Sequence, residues 1–116
     1  MIKVENLCKS FDGSQVLRDI NVEYKAGQCN MIICASGSGK TVLLKSLIGL
    51  LESDSGEIYY GGTALSSMNY EERKALLQSI GILFQGSALF DFETVLGNVM
   101  FPMGFFTDWS ESKMRE

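Results

Sequence analysis

A mixed α/β fold is what this sequence predicts, on three observations. Two β-prone segments, residues 2–7 and 16–24, flank Phe11-Asp12-Gly13-Ser14. Asp-Gly between such runs is a hairpin signal, because glycine takes a positive φ without steric cost. Next, a short apolar run at 29–34, centred on Met31-Ile32-Ile33, passes through Ala35-Ser36-Gly37-Ser38-Gly39 into residues 40–51. There Val42, Leu43, Leu44, Leu47, Ile48 and Leu51 fall at helical spacing. Beyond that point strand-like and helix-like stretches alternate. Antiparallel pairing followed by strand–helix alternation gives a mixed α/β chain.

Each element has its own warrant. Ala26-Gly27 marks the turn after the second strand. The run 29–34, apolar at almost every position, reads as a strand buried on both faces. The wide apolar face of 40–51 predicts a mostly buried helix, ended by Ser53-Asp54-Ser55-Gly56. Residues 57–60 read as a strand closed by Gly61-Gly62. Asn69 and Glu72 form a capping box for a helix over 70–78. Residues 80–84 are another compact apolar strand, 94–100 begin a helix, and Pro102 interrupts the segment after it.

Composition narrows the function classes. A chain of 116 residues with 46% hydrophobic content supports one folded core. The net charge is −4, and the ten basic residues are scattered, which argues against nucleic acid as a partner. No apolar run approaches the ~18 residues of a membrane span, and the N-terminus lacks the pattern of a signal peptide. A cytoplasmic protein is expected. Three cysteines, Cys8, Cys29 and Cys34, without a C-x-x-C pair give neither a metal signature nor a disulfide framework. Cys8 and Cys29 read as buried small apolar thiols.

The chemistry lies in the loop. A strand that ends in a glycine-rich loop and continues into a helix points several backbone N–H groups at one spot. With the positive end of the helix dipole, those groups make an anion site. Gly37 and Gly39 let the backbone curl round a phosphate with no Cβ in the way. Lys40 adds a full positive charge directed at β- and γ-phosphates, and Thr41 supplies a hydroxyl for Mg²⁺. The phosphate-loop pattern G-x-x-x-x-G-K-[ST] reads here Cys34-Ala35-Ser36-Gly37-Ser38-Gly39-Lys40-Thr41. Cysteine stands where the pattern has its first glycine.

From Ser36 to Thr41 the chain resembles the Walker A motif of ATP-binding cassette (ABC) ATPases, and the resemblance runs its full length. Leu7-Cys8-Lys9-Ser10-Phe11-Asp12-Gly13 resembles the family's A-loop, which implies that Phe11 stacks on adenine. Leu17-Arg18-Asp19-Ile20 and Asp54-Ser55-Gly56-Glu57-Ile58 resemble the stretch leading to its second strand and its post-helix strand entry. Ile82-Leu83-Phe84-Gln85 resembles the Q-loop, which implies that Gln85 touches Mg²⁺ and the attacking water. The resemblance thus implies a P-loop NTPase fold with an antiparallel β subdomain and an incomplete helical subdomain. It implies ATP and Mg²⁺ as cofactors, with Phe11, Ser36, Gly37, Ser38, Gly39, Lys40, Thr41 and Val42 holding nucleotide. Thr41 and Gln85 would meet the metal, and Gln85 and Lys40 would serve catalysis.

In the same terms, residues 1–116 are expected to form a partial cassette domain. Its parts are an antiparallel β region at 1–30, a P-loop-to-Q-loop core at 31–85, and the start of a helical subdomain at 86–116. The family's signature motif, Walker B strand, D-loop and H-loop histidine are expected beyond position 116, so the chain alone is expected to bind nucleotide without hydrolysing it. Leu83-Phe84-Gln85-Gly86-Ser87-Ala88-Leu89-Phe90-Asp91 and Asn98-Val99-Met100-Phe101-Pro102 resemble the ATPases of MCE-type (Mla-like) bacterial phospholipid transport. Expected partners are a membrane-spanning permease subunit and a second ABC ATPase subunit, on the inner face of the plasma membrane. A non-transport ABC protein, or a short non-hydrolysing nucleotide-binding module, is the alternative.

Overall fold

The computed structural model describes residues 1–86 and 88–116; Ser87, part of the Mla-like stretch, lies outside the described residues. The chain forms two compact units, Met1–Leu77 and Gln78–Glu116.

The first unit is built on a four-stranded antiparallel sheet of order β2-β1-β3-β4, from β1 (Ile2–Phe11), β2 (Ser14–Tyr24), β3 (Ser55–Tyr60) and β4 (Thr63–Ala64). The hairpin closes as the sequence predicts: Phe11 pairs with Ser14 across Asp12 (φ 47°) and Gly13 (φ 78°). Two consecutive positive φ angles make the turn that suits the right-handed twist of a hairpin. Val4 and Leu7 are both buried although three residues apart, which a regular strand forbids. A bulge at Asn6 (φ 50°), where the register shifts against both β2 and β3, resets the alternation. On the β3 side Gly56 (φ +89°) makes this possible, because a Cβ there would collide with the Asn6 carbonyl.

Helix α1 (Lys40–Leu47) covers the sheet, and Leu43 and Leu47 join Val4, Leu7, Leu17 and Ile58 in one core. The helix is shorter than the predicted 40–51. Gly49 (φ 71°) ends it in a Schellman motif, with Gly49 N–H donating to Ser46 and Leu50 N–H to Lys45. The stop signal is therefore this glycine rather than Ser53–Gly56. Leu44 is exposed, so the helix is buried along one stripe and not all round. The Tyr60 hydroxyl donates to the Leu47 carbonyl (2.6 Å) and ties the helix end to β3. The Asn69–Glu72 capping box forms in both directions at 2.8 and 3.0 Å and starts α2 (Tyr70–Gln78).

Two predicted strands do not form. Residues 29–34 run through irregular backbone, with Met31 78% and Ile33 84% exposed; of the three central residues only Ile32 packs on the core. Residues 80–84 are likewise irregular, and Leu83 is 90% exposed. A strand apolar on both faces needs hydrogen-bonded neighbours and cover on both sides. No ladder partner reaches either run among the described residues. Cys29 is exposed for the same reason, against the expectation of a buried thiol, while Cys8 is half-buried.

The second unit carries α3 (Val95–Phe106) and α4 (Glu111–Met114). The Thr94 side chain caps α3 by accepting from Gly97 N–H at 3.0 Å. Asn98 staples the preceding loop: its amide accepts from Phe90 N–H (2.8 Å) and donates to the Phe90 and Thr94 carbonyls (3.0 Å each). Contrary to expectation, α3 runs through Pro102. Proline's fixed φ is helical, and the cost is one lost hydrogen bond with a ring clash, about 3 kcal/mol. The bonds Asn98 N–H to Thr94 and Thr107 N–H to Met103 hold the helix on either side.

Candidate functional site

The segment from Cys34 to Val42 arranges itself around the start of α1. Ser38 donates from both its hydroxyl (2.6 Å) and its N–H (3.3 Å) to the Ala35 carbonyl, folding residues 35–38 into a tight turn. Gly37 (φ +76°) sits at its apex with open space where a Cβ would be. Gly39 (φ +100°) is pressed onto β2 instead, where a Cβ would meet Val16 Cγ1 at 3.0 Å and Leu17 Cδ2 at 3.2 Å. The two glycines thus do different jobs: one opens the loop, and the other seats it on the sheet.

Gly39 is also the N-cap of α1, and no side chain caps the helix. The N–H groups of Lys40, Thr41 and Val42 have no partner within the helix, as in every first turn. Lys40 and Thr41 are exposed there and Val42 half-buried. No acidic residue stands in that first turn to neutralise the positive dipole end. Lys40 Nζ folds back and donates to the Cys34 carbonyl at 3.3 Å. Cys34 is exposed, and its φ is not positive, so cysteine takes the usual glycine position without left-handed strain. Uncapped donors, an exposed ammonium and a hydroxyl on one turn fit a polyphosphate with its Mg²⁺.

Phe11, at the hairpin end of β1, is 41% exposed. Lys9 Nζ lies 5.5 Å from its ring centroid and 2.8 Å from Asp54 Oδ1. Asp54 Oδ2 accepts from Ser10 N–H at 2.7 Å, and Asp54 N–H donates to the Cys8 carbonyl at 2.9 Å. Bonds from Lys9 and from Ser10 N–H hold the Asp54 carboxyl below the usual carboxylate range. These links pass between β1 and the segment before β3, 44 and 45 residues apart, so no local pattern announces them. Gln85 belongs to the second unit, where it lies exposed in a turn. Residues 36–42 and Phe11 belong to the first.

The family model described as "ABC transporter" matches residues 17–116. The chain is 36% identical over 115 residues to the probable ribonucleotide transport ATP-binding protein of Mycobacterium leprae, covering 99% of this chain and 33% of that protein. It is 40% identical over 102 residues to the sulfate/thiosulfate import ATP-binding protein of Escherichia coli K12, covering 88% and 27%. Among solved structures, the dimeric bacterial ABC transporter cassette MJ0796 superposes with a TM-score of 0.86 at 29% identity, over 99% of this chain and 53% of that one. The same cassette in a post-hydrolysis state bound to ADP and Pi gives 0.85 at 27%, over 99% and 53%. The chain spans between about a quarter and a third of the length of these curated relatives and about half that of the solved cassettes. On the match over 17–116, and with the α/β P-loop fold of its structural neighbours, the chain belongs to the ABC transporter family of ATP-binding domains.

Proposed function

We propose that residues 36–42 hold the phosphates of Mg-ATP. The observation that carries this reading is the exposed, uncapped N-terminus of α1, entered through Gly37 and Gly39. The N–H groups of Gly39, Lys40, Thr41 and Val42, with Ser36 and Ser38 beside them, bind phosphate oxygens. Lys40 leaves the Cys34 carbonyl for the β- and γ-phosphates, and the Thr41 hydroxyl ligates Mg²⁺. The bound ion supplies charge neutralisation of the triphosphate. Phe11 stacks on adenine, and Gln85 serves the metal and the attacking water, both by resemblance to the family's A-loop and Q-loop.

On this reading the parent protein couples ATP hydrolysis to transport. It works with a permease subunit and a second cassette subunit, as a cytoplasmic protein peripheral to the membrane. The dimeric form of the solved cassettes supports the second subunit. Phospholipid as cargo rests on residues 83–91 and 98–102, whereas the relatives are named for ribonucleotide, spermidine/putrescine and sulfate/thiosulfate. ATPase activity of the reconstituted parent transporter stimulated by phospholipid supports that cargo; stimulation by one of the named solutes instead contradicts it.

The phosphate-loop assignment is tested by Lys40→Ala. Lys40 is exposed and outside the core, so the fold stays intact. Loss of charge-assisted bonds to phosphate weakens Mg-ATP binding about 10- to 100-fold in equilibrium titration. Equal affinities of mutant and wild type contradict the assignment.

A further inference from the structure

We propose that Asp54 is a positioning residue for the base-stacking aromatic, acting on Phe11 through Lys9 and the Ser10 backbone. The proposal rests on the reading of Phe11 as the adenine platform. Phe11 sits at the last position of β1, beside a two-residue turn, where a strand end is free to fray. Its β2 side is paired through Ser10–Gln15 and Phe11–Ser14. On the other side the ladder with β3 stops at Cys8–Ser55, two residues short of Ser10. Asp54 continues the ladder with a side chain. Its N–H donates to the Cys8 carbonyl, and its Oδ2 accepts the Ser10 N–H that β3 leaves unpaired.

The other carboxylate oxygen acts on the ring. Asp54 Oδ1 holds Lys9 Nζ at 2.8 Å, and Lys9, largely shielded from solvent, rests its ammonium 5.5 Å from the Phe11 centroid. A cation over an aromatic face is attracted by the ring quadrupole and fixes the ring plane. One face of Phe11 is thereby taken, and the opposite face is the one left to a base. Asp54 touches neither base nor phosphate on this account. It sets the strand end and the cation that together hold the ring, so its loss lowers affinity for the base and not for the phosphates.

The test uses the full 116-residue chain and two probes in equilibrium titration, Mg-ATP and Mg-tripolyphosphate, which has no base. Phe11→Ala lowers ATP affinity about tenfold, the size of a stacking contact, and leaves tripolyphosphate unchanged. Asp54→Asn and Lys9→Met each lower ATP affinity about threefold, the size of a cation–aromatic contact, again with tripolyphosphate unchanged. The double variant loses no more than Asp54→Asn alone, because Lys9 is held at the ring by Asp54. Equal losses for ATP and tripolyphosphate in Asp54→Asn assign Asp54 a structural role and overturn the proposal. So does an unchanged ATP affinity in Asp54→Asn when Phe11→Ala loses it. An unchanged ratio in Phe11→Ala overturns the stacking reading itself, a different failure with a different signature. Should Asp54→Asn fail to melt cooperatively, Lys9→Met, which leaves the Ser10 bond in place, decides by the same ratio.

Discussion

Cys34 stands where the phosphate-loop pattern has a glycine, and its backbone explains why the substitution is tolerated. Its φ lies outside the left-handed region, so glycine's freedom is needed at Gly37 and Gly39 and not here. The thiol is exposed, and the residue's carbonyl receives the Lys40 ammonium. Cys29 is also exposed but lies five residues upstream, outside the loop, and so serves as an internal control. Mg-ATP is therefore expected to slow maleimide labelling of Cys34 severalfold and to leave Cys29 unaffected, by mass-spectrometric mapping of a short pulse. Protection of neither cysteine contradicts a nucleotide seated against the loop entry. Cys34→Gly, relieving no strain, is expected to bind nucleotide at least as tightly as the parent chain.

At the scale of elements, the β1 bulge is the feature on which the sheet's register depends. Gly56 lies against the Asn6 carbonyl at φ +89°, and the Asn6 amide group donates to Asp19 Oδ1 at 2.8 Å. Gly56→Ala adds a Cβ that only backbone movement can accommodate, at a φ that alanine resists. A loss of at least about 2 kcal/mol in chemical denaturation is expected. A near-neutral change shows that the bulge is not pinned there. A milder support sits one residue on. Burial pushes the Glu57 carboxyl up, but bonds from the Ser66 hydroxyl and from the Ile58 and Ser66 N–H groups, with the Arg73 charge, hold it below its usual value.

Elements of this kind divide by whether their cause is local. Asp12-Gly13 and the Asn69–Glu72 box carry their reasons within four residues, and both were legible in the sequence. The glycine-rich turn into α1 was legible too, with Gly37 and Gly39 both at positive φ ahead of Lys40. Residues 29–34 and 80–84 misled because an apolar run records a demand for cover without saying what provides it. The Asn6 bulge, the seat of Gly39 on Val16 and Leu17, and the Asp54 clamp join residues far apart in sequence, and no periodicity announces them. The C-terminal stop of α1 at Gly49 was available as a helix-ending glycine.

For the molecule as a whole, apolar exposure in the second unit is the dominant physical fact. Phe90 stacks edge-on to Phe101 (4.7 Å between centroids), and Phe101 and Phe105 lie 6.3 Å apart, yet Phe101, Phe105, Phe106 and Val99 remain exposed. Surface of this kind drives association in water. Light scattering over a concentration series is expected to show self-association of the 116-residue chain, abolished by deletion after Gln85. A monodisperse monomer at high concentration contradicts it.

Whether the turn into α1 cradles a nucleotide's phosphates is read from backbone amide resonances tracked during titration with Mg-ATP and then with Mg-tripolyphosphate. Gly37, Gly39, Lys40, Thr41 and Val42 are expected to shift with both ligands, and residues around Phe11 with Mg-ATP alone. Saturable shifts confined to other parts of the chain, or none at all in residues 36–42, contradict that expectation.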